Sequence, residues 1–286
     1  MQTALILCRF VHFWVLLTLF GIYLSQQLLL RTHLARANDL QPIKVLRWLT
    51  ALGLASAIAW LLLTAASMAG SWADSLAPAT LLLVLGHTAF GKFWVLHMFF
   101  NLALLVLLTR NRRLPWLNLL LATLLLATLA PVGHVAMFDG VYGQLLILNQ
   151  FVHLLAVGAW LGGLGLLLTL LRKPADVDMR GVLLRFGGFG YVMVALIILT
   201  GLVNVRVMSG APWPTPAFSG FGLVLGIKVV MVLCMLALAL FNRLALNGGT
   251  LRLDQVRISV AFECLFGMAA LAAVSLLGTL PPMLAD

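Results

Sequence analysis

Residues 145–171 read LLILNQFVHLLAVGAWLGGLGLLLTLL. No charged side chain interrupts the run, and Arg172 and Lys173 close it. A helix needs about 20 apolar residues to cross the hydrocarbon of a bilayer. Within lipid, only helices and closed barrels satisfy their own backbone. The run is far longer than a barrel strand and lacks alternation, so it predicts a membrane-spanning helix. Working outward, the same reading predicts spans at 4–29, 46–69, 89–109, 114–134, 186–208, 220–241 and 257–280, which makes eight. A further apolar stretch, 78–86, follows Pro78 and is too short to span, so it reads as a re-entrant or interfacial piece. The expected fold class is all-α, a polytopic membrane protein.

Composition points the same way. Of 286 residues, 63% are hydrophobic and 9% charged, against about 25% charged in soluble domains. The net charge of +10 does not mark a nucleic-acid surface, because the basic residues sit in short connections between apolar runs. Arg31, Arg36, Lys44 and Arg47 follow the first span, and Arg110, Arg112 and Arg113 the third. Arg172, Lys173, Arg180 and Arg185 follow the fifth; Arg243, Arg252 and Arg257 follow the seventh. Of the 18 basic residues only Arg9, Lys92, Arg206 and Lys228 are left for the other side. The positive-inside rule therefore predicts that both termini face outward. The first run has no basic segment before it and no small-residue cleavage site after it, so it is expected to stay as a span. Cys8, Cys234 and Cys264 lie in apolar runs without CxxC spacing and read as small buried hydrophobes.

The chain repeats itself. RFVHFWVLLTLFG from Arg9 matches QFVHLLAVGAWLGG from Gln150, with a glycine nine residues after each histidine, Gly21 and Gly162. Residues 90–112 align without a gap to 221–243, both closing on Asn-Arg. Met68-Ala-Gly matches Met208-Ser-Gly. Four spans per repeat is an even number, so both halves enter the membrane in the same sense. The expectation is two parallel four-helix repeats, residues 1–140 and 141–286, sharing an interface in one membrane domain.

Histidines carry the chemistry. His33 falls in a basic connection, but the other five lie in the outward half. His12, His97 and His153 are each about eight residues inside their spans, roughly 12 Å deep at 1.5 Å per residue. His87 and His134 lie above them, at the expected outer mouth. Intramembrane ionisable groups are costly and mark function, and imidazole suits copper, zinc, iron and nickel. The plainer reading is a set of interhelical hydrogen bonds. Met98 beside His97 and Met137 near His134 add thioethers, and thioether with imidazole selects for Cu(I). In the repeat His97 aligns with Lys228, an ammonium that binds no metal while charged, so a metal site is expected to lean on the first half. Glu263, the only glutamate, is expected near the cytoplasmic end, as a proton or cation step or as a partner of Arg257. Gly86 to Lys92 has the GxxxxGK spacing of a phosphate loop. Phe93 stands where the magnesium-binding hydroxyl belongs, and no strand precedes the segment. No nucleotide or phosphorylatable Asp motif appears, and no enzymatic activity is expected.

RFVH at the start, Gly133-His134, HLLAVGAWLGG from His153, LTGLVN from Leu199 and G-x-x-L-x-x-K with a closing Asn242-Arg243 resemble the CopD/PcoD family of bacterial inner-membrane copper proteins. The resemblance implies eight spans, a periplasm-facing set of His and Met, and movement of copper from periplasm toward cytoplasm, with a periplasmic copper-binding protein as a further partner. His134 and His153 carry over most securely, then His12 and His87; His97 rests on its depth. On this reading His87, His134 and Met137 capture copper at the mouth, and His97, His153, His12 and Met98 hold it deeper. Two alternatives stay open. The family resembles membrane b-type cytochromes more distantly, and His12 with His153 at one depth would suit haem. A membrane copper chaperone that passes the ion on without transport is the other.

Overall fold

A computed structural model describes residues 1–29, 43–110, 114–133, 137–172, 178–247 and 252–280. Among these residues the regular structure is helical and no strand occurs: α1 (Gln2–Leu29), α2 (Ile43–Ala69), α3 (Pro78–His87), α4 (Ala89–Thr109), α5 (Pro115–Leu129), α6 (Gly140–Leu170), α7 (Met179–Ser209), α8 (Gly220–Asn247) and α9 (Leu253–Leu277). A 3-10 turn, Ala73–Leu76, precedes α3.

Local chemistry sets the ends. Proline opens α3 and α5, where its missing N–H costs nothing. The Thr88 side chain accepts from Gly91 N and caps α4; Asp178 does the same for α7 through Gly181 N at 2.9 Å. Gly210, at φ 65°, ends α7 in the left-handed region that favours glycine.

Seven of the helices, α1, α2, α4, α6, α7, α8 and α9, are long and apolar enough to cross a membrane. The expected short piece at 78–86 is α3. The expected span at 114–134 is helical over Pro115–Leu129 only, 15 residues, or about 22 Å of rise. Large apolar side chains such as Leu199, Leu202, Val230, Leu233 and Phe262 stand exposed on the outer faces, as lipid-facing residues do.

Contacts fix the helix directions. Cys8 and His12 meet Ser56 while Leu16 meets Gly53, so α1 and α2 run antiparallel. Trp94 donates to the Ala57 carbonyl and Arg47 to that of Leu108, so α2 and α4 are antiparallel. α6 and α7 are antiparallel through His153 with Thr200 and Gly163 with Phe186; α8 and α9 through Asn242 with Glu263 and Met235 with Gly267. By contrast α1 and α6 run parallel, with Leu17 on Gly158, Gly21 on Gly162 and Ser25 on Gly163. The closest approach is backbone on backbone: a methyl group at Gly21 would lie 2.5 Å from Gly162 Cα, and one at Gly162 equally close to Gly21 Cα. Small residues permit such close crossings in membranes, and α1 and α6 form the centre of the bundle.

Candidate metal centre

α1 aims His12 at α2 and α4. His12 is fully buried, and its Nδ1 lies 2.9 Å from Ser56 Oγ. The Ser56 hydroxyl spends its one hydrogen on the Gly53 carbonyl, 3.0 Å away. It can therefore only accept from the ring, which places the His12 proton on Nδ1 and leaves Nε2 with a bare lone pair. His97 on α4, also fully buried, repeats the device: Nδ1 is 2.7 Å from Thr128 Oγ1, which donates to the Leu125 carbonyl at 2.8 Å. The two rings stand side by side, centroids 5.0 Å apart. Both Nε2 atoms are buried without a hydrogen-bond partner.

Aromatic walls close this pair off. Trp94 stacks on His97 at 4.8 Å and 13°, and Trp60 meets His12 edge-on at 5.4 Å. The result is two buried ring nitrogens without partners, held among tryptophan side chains. Holding the far ring nitrogen with a hydrogen bond is how metal-binding imidazoles are fixed and made more basic. Imidazole pairs suit copper among the biological metals. Among the described residues no group of three or more His, Cys, Asp or Glu gathers in one place, so the centre offers two side-chain nitrogens.

His153 stands apart from this pair. Its Nδ1 lies 2.8 Å from Thr200 Oγ1, which in turn donates to the Leu196 carbonyl, so the hydroxyl support is the same. Its surroundings differ. His153 lines a cavity of about 240 Å³ with Arg9, Gln150, Asn204 and Lys228. α1 separates the two places: Phe13 and Leu17 face the His153 cavity while His12 faces α2 and α4. The expected deep set thus divides into His12 with His97 on one side and His153 with Lys228 on the other. Met98 is half-buried and packs on the hydrophobic core.

At the expected mouth, His87 is exposed at the end of α3 and Met137 is exposed before α6. His134 and His33 lie outside the described residues. Glu263 is buried and accepts from Asn242 Nδ2 at 2.8 Å; it lines a second cavity, about 170 Å³, with Trp160, Tyr191 and Arg243. Ser56, Thr128 and Thr200 were not foreseeable as site residues. A hydroxyl in an apolar run is common, and only the helix pairing shows which one meets an imidazole.

Comparison with known proteins decides the family. "Copper resistance protein D-like, N-terminal domain" matches residues 1–144, and "Copper resistance protein D" matches residues 180–277. Copper resistance protein D of Pseudomonas syringae pv. tomato is 30% identical over 297 residues, covering 96% of this chain and 95% of the relative. The chain belongs to the copper resistance protein D family. Inner membrane protein YebZ of Escherichia coli (strain K12) is 29% identical over 284 residues, 96% of this chain and 97% of that protein. Copper transport protein CutJ of Bacillus subtilis (strain 168) is 30% identical over 168 residues, 54% of this chain but 31% of the relative. No solved structure matches.

Proposed function

We propose that this protein is a copper carrier of the bacterial inner membrane, not an enzyme, and that it moves copper from the periplasm toward the cytoplasm. The observation that carries the reading is the His12–His97 pair: two buried imidazoles, each locked by a hydroxyl with Nε2 unpartnered. A buried, unsatisfied ring nitrogen is costly, and a soft cation relieves both at once. Cu(I) accepts two nitrogen ligands and needs no charge from the protein. His87, His134 and Met137 gather the ion at the outer face; the pair, with Met98 beside it, holds it inside. Glu263 serves as a proton or cation step on the inner side.

The topology follows the same reading. α6 runs parallel to α1, so α5 carries the chain back across and counts as an eighth crossing despite its length. Arg9 near the start of α1 meets Gly278 at the end of α9, which supports both ends lying on one side, and the positive-inside reading makes that side the periplasm. Gly21 and Gly162, which the sequence repeat aligns, touch each other, and this contact supports a twofold relation between two four-helix repeats. A periplasmic copper-binding protein supplies the ion.

Haem does not suit this arrangement. The His12 ring is packed between Trp60 and Trp94, with centroids at 5.4 and 5.5 Å. His12 faces α2 and α4 while His153 lines the cavity with Phe13 and Leu17 of α1, so the two rings do not face each other across a shared gap.

The test uses purified full-length protein. Cu(I) loading should give one tightly held copper per chain, lost in His12→Ala with His97→Ala, and proteoliposomes should accumulate copper only with the intact pair. Copper retained in the double variant would remove the pair from the site. Binding without accumulation would make the protein a chaperone. A stoichiometric Soret band would make it a cytochrome.

A further inference from the structure

We propose that the cavity around His153 is a binding site for a small organic anion, a carboxylate or phosphate head on a compact apolar body. The cavity is lined from α1, α6, α7, α8 and α9 and reaches the outer end of the bundle at Gly133, Met208 and Gly278. Two cations, Arg9 and Lys228, line it, and no carboxylate does so among the described residues. Uncompensated charge inside a bilayer is costly and needs a counter-charge. Arg9 is only partly occupied: Nη1 donates to the Gly278 carbonyl at 2.9 Å and the guanidinium lies 5.1 Å over Trp60, but its buried Nε has no partner.

The polar wall is biased toward donors. Asn149 Nδ2 donates to Asn204 Oδ1 at 2.9 Å, and Asn204 Nδ2 donates to Gln150 Oε1 at 3.0 Å. The two amides that line the cavity, Asn204 and Gln150, each accept within this chain, which ends on the Gln150 amide nitrogen. Such a surface repels a copper ion and suits an anion. Below this tier the cavity is apolar, floored by Trp160, Met235 and Gly267. A dry apolar cavity of about 150 Å³ admits benzene, so a volume of about 240 Å³ takes a ring-sized body together with its head group. The proposal does not rest on the copper reading, since the cavity shares neither His12 nor His97.

Benzoate is the probe, titrated calorimetrically into full-length protein in nanodiscs of zwitterionic lipid. One benzoate per chain is expected, with benzylammonium, of similar size and opposite charge, not binding. Lys228→Met should weaken benzoate at least tenfold and Arg9→Gln should also weaken it, while copper loading of the Lys228→Met protein is unchanged. Repeating the titration in phosphatidylglycerol nanodiscs separates the sources. Competition there that depends on Lys228 means that the anion is a lipid head group; undiminished benzoate binding means that it arrives from water. Equal binding of benzylammonium, unchanged affinity in both variants, or no benzoate binding with no anionic lipid retained on purification would each overturn the proposal.

Discussion

In the first half of the chain His12 leans on Ser56 and meets His97; in the second, His153 leans on Thr200 and meets Lys228. The hydroxyl support is shared, so both rings are prepared to present Nε2. The neighbour decides what each ring can accept. On the proposed copper reading, a second imidazole makes a soft-cation centre beside tryptophan, whereas Lys228 lines with Arg9 a cavity that carries two cations. At positions that the sequence repeat aligns, His97 in one half and Lys228 in the other, the two places differ in the charge they present.

The comparison can be broken most severely at the seam between the halves. At Gly162 any side chain would meet Gly21 Cα at 2.5 Å, backbone that cannot move aside. Gly162→Leu should destabilise the protein by about 3 kcal/mol or more, overpacking against backbone being at the costly end of such changes. Thermal melting in detergent should show a clear drop, with loss of copper at the first centre and altered access to the second. Gly165→Ala, where a methyl meets nothing within 4 Å, is the matched control and should melt normally. A Gly162→Leu protein that melts normally would mean that the halves do not depend on this contact.

A second test asks whether one residue really separates the halves. Lys228→His should place an imidazole beside His153 and give a second copper per chain by elemental analysis. The reverse change, His97→Lys, should leave none at the first centre. Copper stoichiometry that stays at one in Lys228→His would show that the tryptophan walls matter as much as the paired imidazole.

The sequence was informative about some of this and silent about the rest, for physical reasons. Length and apolarity of each run decide whether it spans, and both are local, so most spans fell within a few residues of their helices. α5 was harder, because apolar residues 130–133 continue the run although the helix stops at Leu129. The repeat identified Gly21 with Gly162 and His97 with Lys228, and it gave the glycine pair without saying that the two touch. Depth along a helix was also legible, but the direction of a side chain around it was not. His12, His97 and His153 look alike by depth, yet α1 stands between His153 and the other two. The partner hydroxyls and the tryptophan walls come from other helices, and no local pattern marks them.

The finest distinction concerns the hydroxyls. Thr128 holds His97 through Nδ1 at 2.7 Å while its own hydrogen is tied to Leu125, so the ring is fixed in both tautomer and rotation. Thr128→Val keeps the shape and removes only that hold. Loss of such an outer hydrogen bond typically lowers metal affinity 10- to 100-fold, or about 1.4 to 2.8 kcal/mol. We therefore expect Thr128→Val to weaken copper about tenfold in competition with a Cu(I) chelator, without lowering the stoichiometry. Thr128→Ser should restore most of the affinity, which a merely space-filling role for the threonine would not predict. Thr200→Val, made at the corresponding support in the second half, should leave copper affinity untouched, because His153 faces the cationic cavity. If Thr200→Val weakens copper as much as Thr128→Val does, the ion visits His153 as well, and the division of labour between the halves fails.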